Sequence, residues 1–305
     1  MVRITVPATS ANLGAGFDAL GLALTLYNEV WLEESDRVDI ASVDGTVIPT
    51  GTDNMIFQNA RHLYELCGRP FCGLKVRQKN GIPMTRGLGS SSACIVAGLL
   101  GANALLGEPM ERQQLLSIAA HMEGHPDNIA PAILGGLVTS VMEGGQVYSV
   151  SVPVSDRIQF AVMIPPFEIK TEFARGILPG SLSRADAVFN LSRAALMTAA
   201  LFSGRMENLK VAVQDRIHQP YRLGLIPGMR EAFDAAYDLG AYGVYLSGAG
   251  PTIVGVVDAR EDKEDFSRRL SQGLEQRGVK GWQVLLLGCD QPGAQVEKNT
   301  TLQAE

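Results

Sequence analysis

The sequence is short of the features that mark secretion, membranes and nucleic-acid binding. It holds only 4 cysteines in 305 residues. None of Cys67, Cys72, Cys94 and Cys289 forms a Cys-x-x-Cys pair, and dispersed free thiols suit a reducing compartment. Basic residues are not in excess. Lys and Arg number 26 against 32 Asp and Glu, a net charge of −6, which argues against nucleic acid or an anionic membrane as main partner. The longest apolar run follows Ser92 and is broken by Asn103 and Gly107, too short to span a bilayer. The opening Met-Val-Arg-Ile-Thr-Val-Pro has no basic region followed by an apolar core, so a cytoplasmic protein is expected. Internal repeats and low-complexity tracts are missing too. His121 and His125 flank Glu123, but a zinc-protease helix needs Glu directly after the first His, and Gly124 and Pro126 should end the helix here.

What remains is an ordinary globular composition, 46% hydrophobic and 19% charged, of a length that fits one large domain or two modest ones. Its most informative stretch is Pro83-Met84-Thr85-Arg86-Gly87-Leu88-Gly89-Ser90-Ser91-Ser92-Ala93, which runs straight into an apolar helical segment, Ala93 to Gly107. Gly87 and Gly89 let the backbone approach a ligand and turn its amides outward. The three serines set hydroxyls and unpaired amides at a helix start, where the dipole favours anions, and Arg86 adds a charge beside them. No Lys-Ser or Lys-Thr pair closes the loop as in a Walker A motif, and Ser92 stands where a dinucleotide fingerprint needs its third glycine. The reading is a phosphate cradle of another kind.

Along the chain, Arg3 to Val6 reads as a strand ending at Pro7, followed by a small-residue loop, Ala8 to Asp18. Further strands are expected over Leu20–Glu33, around Leu74 and Val76, and over Gly135–Met142, with helices over Asn54–Cys67 and Glu111–Met122. A turn-rich stretch near Val150 to Asp156 divides the chain at 152/153. Beyond it come a strand, Arg157 to Ile164, and helices over Asp186–Phe202, Met206–His218 and Gly228–Leu239. Strands Ala241–Ser247 and Thr252–Val257 are joined by Gly248-Ala249-Gly250-Pro251, which is either a tight hairpin or a backbone closing over phosphate or acceptor. A charged helix, Glu261 to Arg277, and a strand, Trp282 to Leu287, complete the second half to residue 290, and 291–305 reads as a polar, frayed tail. Strands and helices do not alternate regularly, so the class is α+β in two domains.

Three motifs stand in order: Pro-Ala-Thr-Ser-Ala-Asn-Leu-Gly-Ala-Gly-Phe-Asp at 7–18, the loop at 83–93, and Leu-Ser-Gly-Ala-Gly-Pro-Thr at 246–252. The chain thereby resembles the GHMP kinases, and Glu-Gly-His-Pro-Asp-Asn-Ile-Ala-Pro-Ala at 123–132 is similar to their homoserine-phosphorylating members. The resemblance spans Pro7 to Gly255; Ser92, where the family loop often has alanine, leaves the cradle intact. It implies ATP and Mg2+ as cofactors, L-homoserine as acceptor, and both ligands meeting in a cleft between the domains. For a zwitterion, arginine suits the carboxylate and an acid the ammonium. Arg175 and Arg222 match the family's substrate arginines, with Arg216 the competitor of Arg222. Asp18 is the ammonium candidate, assisted by His125 or Asp127, and Thr171 supports Arg175 or lies near the transferring phosphate. Asn12 and Asn128 would lie by the hydroxyl. Glu123 looks like the metal carboxylate, with Ser90 or Ser91 as second oxygen. Asp127 is either the general base or an orienting group. Adenine contacts are not readable, with Asn54 and Lys75 as candidates only, and a homodimer is compatible with the resemblance but shows no seam. Mevalonate or shikimate kinases, lacking an ammonium for Asp18, and a non-catalytic regulatory paralogue are the rival readings.

Overall fold

In a computed structural model, residues 1–298 are described. Buried Val2, Ile4 and Val6 alternate along β1 (Val2–Ala11). The strand does not end at Pro7 as its sequence predicts. It passes a bulge between Pro7 and Ala8, where proline offers no N–H, and resumes with Pro7 opposite Tyr27 and Ala8 opposite Leu24. β2 (Leu20–Glu34), antiparallel to β1, is long enough at 15 residues to hold two partners along its other edge.

β3 (Val38–Ser42), α1 (Met55–Leu66) and β4 (Leu74–Asn80) follow, then α2 (Ser90–Leu105), α3 (Arg112–Glu123) and α4 (Ile129–Leu134). β5 (Leu137–Glu143) and β6 (Gln146–Val152) form a hairpin. β4 pairs with Asn28–Glu34 of β2, and β5 with Leu20–Leu22. α2 is apolar all round because it is enclosed, packing on α1, α3, α4 and β1.

A second, antiparallel sheet starts with β7 (Ile158–Ile164). Helices α5 (Thr171–Gly176), α6 (Arg184–Ser203), α7 (Leu209–Ala212), α8 (Gln219–Arg222) and α9 (Met229–Asp238) precede β8 (Gly243–Leu246) and β9 (Ile253–Asp258), and α10 (Lys263–Gln276) leads to β10 (Gln283–Leu287). Period-two alternation gives this sheet two buried faces. Phe160, Val162, Val254 and Val256 join the core of the first sheet with α6 and α7, while Ala161, Met163, Ile253 and Val257 form a second core with α9 and α10. The two-domain α+β organisation read from the sequence is the one the chain adopts.

Two expectations need correction. The helix read over 206–218 is broken, because the Asp215 carboxylate accepts from the amides of Ile217, His218 and Gln219 and turns the chain into a new helix start at α8. The polar end of the chain is no frayed tail throughout, since β11 (Gln295–Lys298) pairs antiparallel with Val2–Thr5 at the edge of the first sheet. Positions 299–305 of that expectation lie outside the described residues.

Candidate active site

A cleft of about 360 Å³ is lined by the loop before α2, by α5, by Arg222 of α8 and by the β8–β9 turn. On one side, Gly89 ends the loop in left-handed backbone, φ 70°, as the N-cap of α2. The first intrahelical bond on this cap is Ala93 N–H to Gly89 O, 2.8 Å, so the Ser90, Ser91 and Ser92 amides are the orphan donors of a helix start. A Cβ at Gly89 would lie 1.9 Å from Thr9 Oγ1, and one at Gly87 2.5 Å from the Ser247 carbonyl oxygen. Both glycines are therefore required by close packing as well as by positive φ. Arg86 is not a free charge at the cradle. Its guanidinium donates to the carbonyls of Pro165 and Pro166, each at 3.1 Å, and pairs with Glu168 at 3.1 Å, tying the loop to the strand end of β7.

The β8–β9 turn is interlocked with this loop. Ser247 Oγ donates to Gly87 O at 2.6 Å, Gly248 N–H to Ala11 O at 3.1 Å, and Thr252 N–H to Arg86 O at 3.2 Å. Thus the glycine turn serves both as a hairpin between β8 and β9 and as a wall of the cleft.

Opposite the cradle lies a charged cluster. Arg175, on α5, donates to both oxygens of Asp18, at 3.0 and 2.6 Å, with a third of each side chain exposed. That hydrogen bond raises the pKa of Arg175 against the effect of burial. Arg222 is 1% exposed. Its Nε donates to Ala174 O at 3.1 Å, and its Nη1 to Gly248 O at 2.9 Å and to His218 Nδ1 at 3.1 Å. Burial, helped by the charge of Arg175, lowers its pKa to about 10. Both guanidinium carbons lie over the Phe17 ring, at 5.4 and 5.7 Å from its centre. Arg216 instead faces Asp186 at 3.1 Å and is not part of the cleft lining, whereas Arg222 is.

Between the two sides, His125 Nδ1 meets Asp127 Oδ1 at 2.6 Å, and Asn128 Nδ2 donates to the same oxygen at 3.4 Å. Burial lowers the His125 pKa, but the hydrogen bond and charge of Asp127 outweigh it and the net shift is upward. Asp18, His125 and Asp127 bring ligand atoms within 4.8 Å of one another. Arg175, bonded to Asp18, sets a fixed positive charge beside these two carboxylates. Glu123 Oε1 accepts from Ser91 Oγ at 2.9 Å and Ser92 Oγ at 3.0 Å; these, rather than Ser90, are the serines that face it. Cys94 also lines the cleft, its thiol pushed up to about 11 by burial and by Glu123, so it stays protonated.

Some expected ligands are already engaged in holding the site together. Asn12, 3% exposed and at φ 71°, donates to Gly248 O at 3.1 Å and accepts from the Asp18 amide at 3.1 Å. Asn128 Oδ1 accepts from Thr9 at 2.8 Å. Thr171 opens α5 four residues before Arg175, on the cleft wall. Asn54 caps α1 and lines the cleft, whereas Lys75 pairs with Glu33 at 3.2 Å on the sheet. Sequence reasoning missed Phe17, Asp215 and His218, although His218 and Asp215 stand beside the motif that names Arg222. It also missed Ile48, Pro49 and Met55, apolar residues that line the cleft together with the expected Met84 and are scattered in sequence.

The family model described as GHMP kinases N terminal domain matches residues 54–136, and GHMP kinases C terminal matches 197–276. A homoserine kinase of Clostridium beijerinckii is 42% identical over 98% of this chain and 100% of its own. One of Desulfitobacterium hafniense is 44% identical over 97% and 100%. The crystal structure of homoserine kinase from Cytophaga hutchinsonii superposes with a TM-score of 0.85 at 30% identity, covering 97% of both chains. With the cradle, the interlocked glycine turn and the charged cluster in one cleft, the chain belongs to the GHMP kinase family, in its homoserine kinase branch.

Proposed function

We propose that this cleft transfers the γ-phosphoryl group of ATP to the side-chain hydroxyl of L-homoserine, giving O-phospho-L-homoserine on the route to threonine. The observation that carries the reading is that Arg175 and Arg222 both line the cleft that holds the α2 N-terminus, with Asp18 bonded to Arg175. The orphan amides of Ser90 to Ser92 cradle the phosphates, and the apolar lining of Ile48, Pro49, Met55 and Met84 takes the base. Mg2+ fits the hard oxygens of Glu123 and Ser91 beside that helix start, where it supplies neutralisation of phosphate charge.

The acceptor's carboxylate goes to Arg175 and Arg222, and its ammonium to Asp18. The Asp18–Arg175 pair is about a third exposed and opens toward the two ends of the zwitterion, each group exchanging its present partner for an opposite charge of the substrate. Asn128 and Asp127 then face the hydroxyl. Because His125 and Asn128 already engage Asp127 Oδ1, we assign Asp127 to orienting the hydroxyl rather than to taking its proton. A loose transition state asks for positioning and charge stabilisation more than for a strong base. Thr171 supports the α5 wall beside the transfer. The domains are taken as 1–152 and 153–290, with 291–305 as a terminal segment, and the protein as cytoplasmic; no described helix is long and apolar enough to cross a membrane.

ADP release with Mg-ATP and L-homoserine, beside mevalonate, shikimate, galactose and no acceptor, tests the reading. A rate that appears with homoserine alone is expected; a rate with another acceptor instead would overturn the zwitterion assignment.

A further inference from the structure

Arg222 is a buried guanidinium whose partners are carbonyls and an imidazole, so something other than a carboxylate contact must hold its fork in place. Arginine only donates, so His218 Nδ1 must accept, and the ring hydrogen then lies on Nε2. Nε2 is 2.8 Å from the carbonyl oxygen of Gly14 and donates to it. Gly14 belongs to the same short loop as Asn12 and Asp18. The imidazole is fully buried, stacked at 5.5 Å beside Phe17. Its backbone is fixed as well. The Asp215 carboxylate accepts from the His218 and Gln219 amides at 2.9 and 2.6 Å and from Asn190 Nδ2 at 2.6 Å, and the same Asn190 nitrogen donates to Ala15 O at 3.1 Å. One ring therefore joins the loop of the ammonium-binding acid to the carboxylate-binding arginine.

We propose that His218 is a positioning residue for the acceptor: as its Nε2–H tautomer it sets the spacing between Asp18 and Arg222, and so selects an α-amino acid head. The inference rests on the acceptor reading above and deepens it. His218 lies behind the cleft lining, in contact with Arg222 and Gly14, so its effect is expected on the acceptor alone.

The test compares His218→Phe, which fills the space without donating or accepting, with His218→Gln, which does both. In His218→Phe the KM for homoserine is expected to rise about 10- to 100-fold, the range for one hydrogen bond to a charged group. The KM for ATP should stay within about twofold, and His218→Gln should recover most of the loss. An unchanged KM for homoserine, or an equal rise for ATP, overturns the proposal in favour of a scaffold role. The ¹⁵N spectrum of the histidine-labelled, unmutated protein reads the tautomer without any variant that must fold. An Nε2–H ring is expected at His218, and an Nδ1–H or cationic ring at neutral pH overturns the inference. If the unmutated protein does not phosphorylate homoserine, the proposed function fails, while the spectrum still decides whether His218 bridges Gly14 and Arg222.

Discussion

In the proposed reaction the two walls of the cleft bind charge by different means. The phosphate wall uses main-chain amides at the start of α2, with glycines where the backbone must turn and approach Thr9 and Ser247. Arg86, the cation within its loop, is engaged with Pro165, Pro166 and Glu168. The acceptor wall uses whole charges, Asp18, Arg175 and Arg222, brought from β1–β2, α5 and α8; Asp18 and Arg175 pair with each other, and His218 and main-chain carbonyls hold Arg222. A cradle of amides recognises what any nucleoside triphosphate shares, so it can be local and contiguous. A zwitterion site must fix two opposite charges at a set distance, which needs separate elements and a scaffold between them.

Substitutions can break this contrast at either wall. The largest effect is expected from Arg175→Ala, which leaves Asp18 without its partner and removes a carboxylate ligand. kcat/KM for homoserine should fall about 10²- to 10³-fold with the KM for ATP nearly constant, measured by coupled ADP release. A comparable loss of ATP affinity would show that the walls are not independent. Next, Asp127→Asn should lower kcat about 10- to 100-fold, consistent with orientation. A loss near 10⁴-fold would make Asp127 the general base, and near-normal turnover would remove it from the chemistry altogether.

On the phosphate wall, Gly89→Ala places a Cβ against Thr9 Oγ1 at a positive φ. The KM for ATP should rise about tenfold, with melting shifted down by a few degrees, from strain of about 1–3 kcal/mol. An unaltered nucleotide affinity in the folded variant would mean that the amides at this helix start are not the cradle.

The smallest effect sharpens the scaffold behind the acceptor wall. Burial lowers the His218 pKa below its ordinary 6.5, opposed by Asp215 and reinforced by Arg222, with Asp18 also opposing. As pH falls below about 6.5 the unfolded chain gains this proton first, so stability is lost through that window at up to about 1.4 kcal/mol per pH unit. Urea midpoints from pH 7.5 to 5.5 should fall more steeply in the unmutated protein than in His218→Gln. Parallel slopes would contradict a neutral buried imidazole.

The legibility of the two walls follows from the same physics. The 83–93 loop was readable because glycines, serines and an apolar helix are adjacent in sequence, and a helix start presents its amides whatever the rest of the chain does. Helices α1, α9 and α10 were readable from periodicity because each buries one stripe, and strands β2, β7 and β9 were readable as apolar runs between turns. The short elements β3, α4 and β11 were not, since they take their shape from neighbours rather than from their own pattern. Arg175, Arg222 and Asp18 could be named from motif resemblance, but their geometry could not. That Arg175 lies on Asp18, that Asn12 is committed to Gly248 and the Asp18 amide, and that Ser91 and Ser92 face Glu123 are consequences of packing.

By itself, then, the sequence determined the groups available to the proposed reaction: a glycine-serine helix start, two arginines, and the carboxylates of Asp18 and Glu123. Tertiary structure alone decided which charges meet, because Asp18 and Arg175 are 157 residues apart and Gly14 and His218 are 204 apart. Contacts of such separation follow from how the two sheets pack, and no local propensity records them.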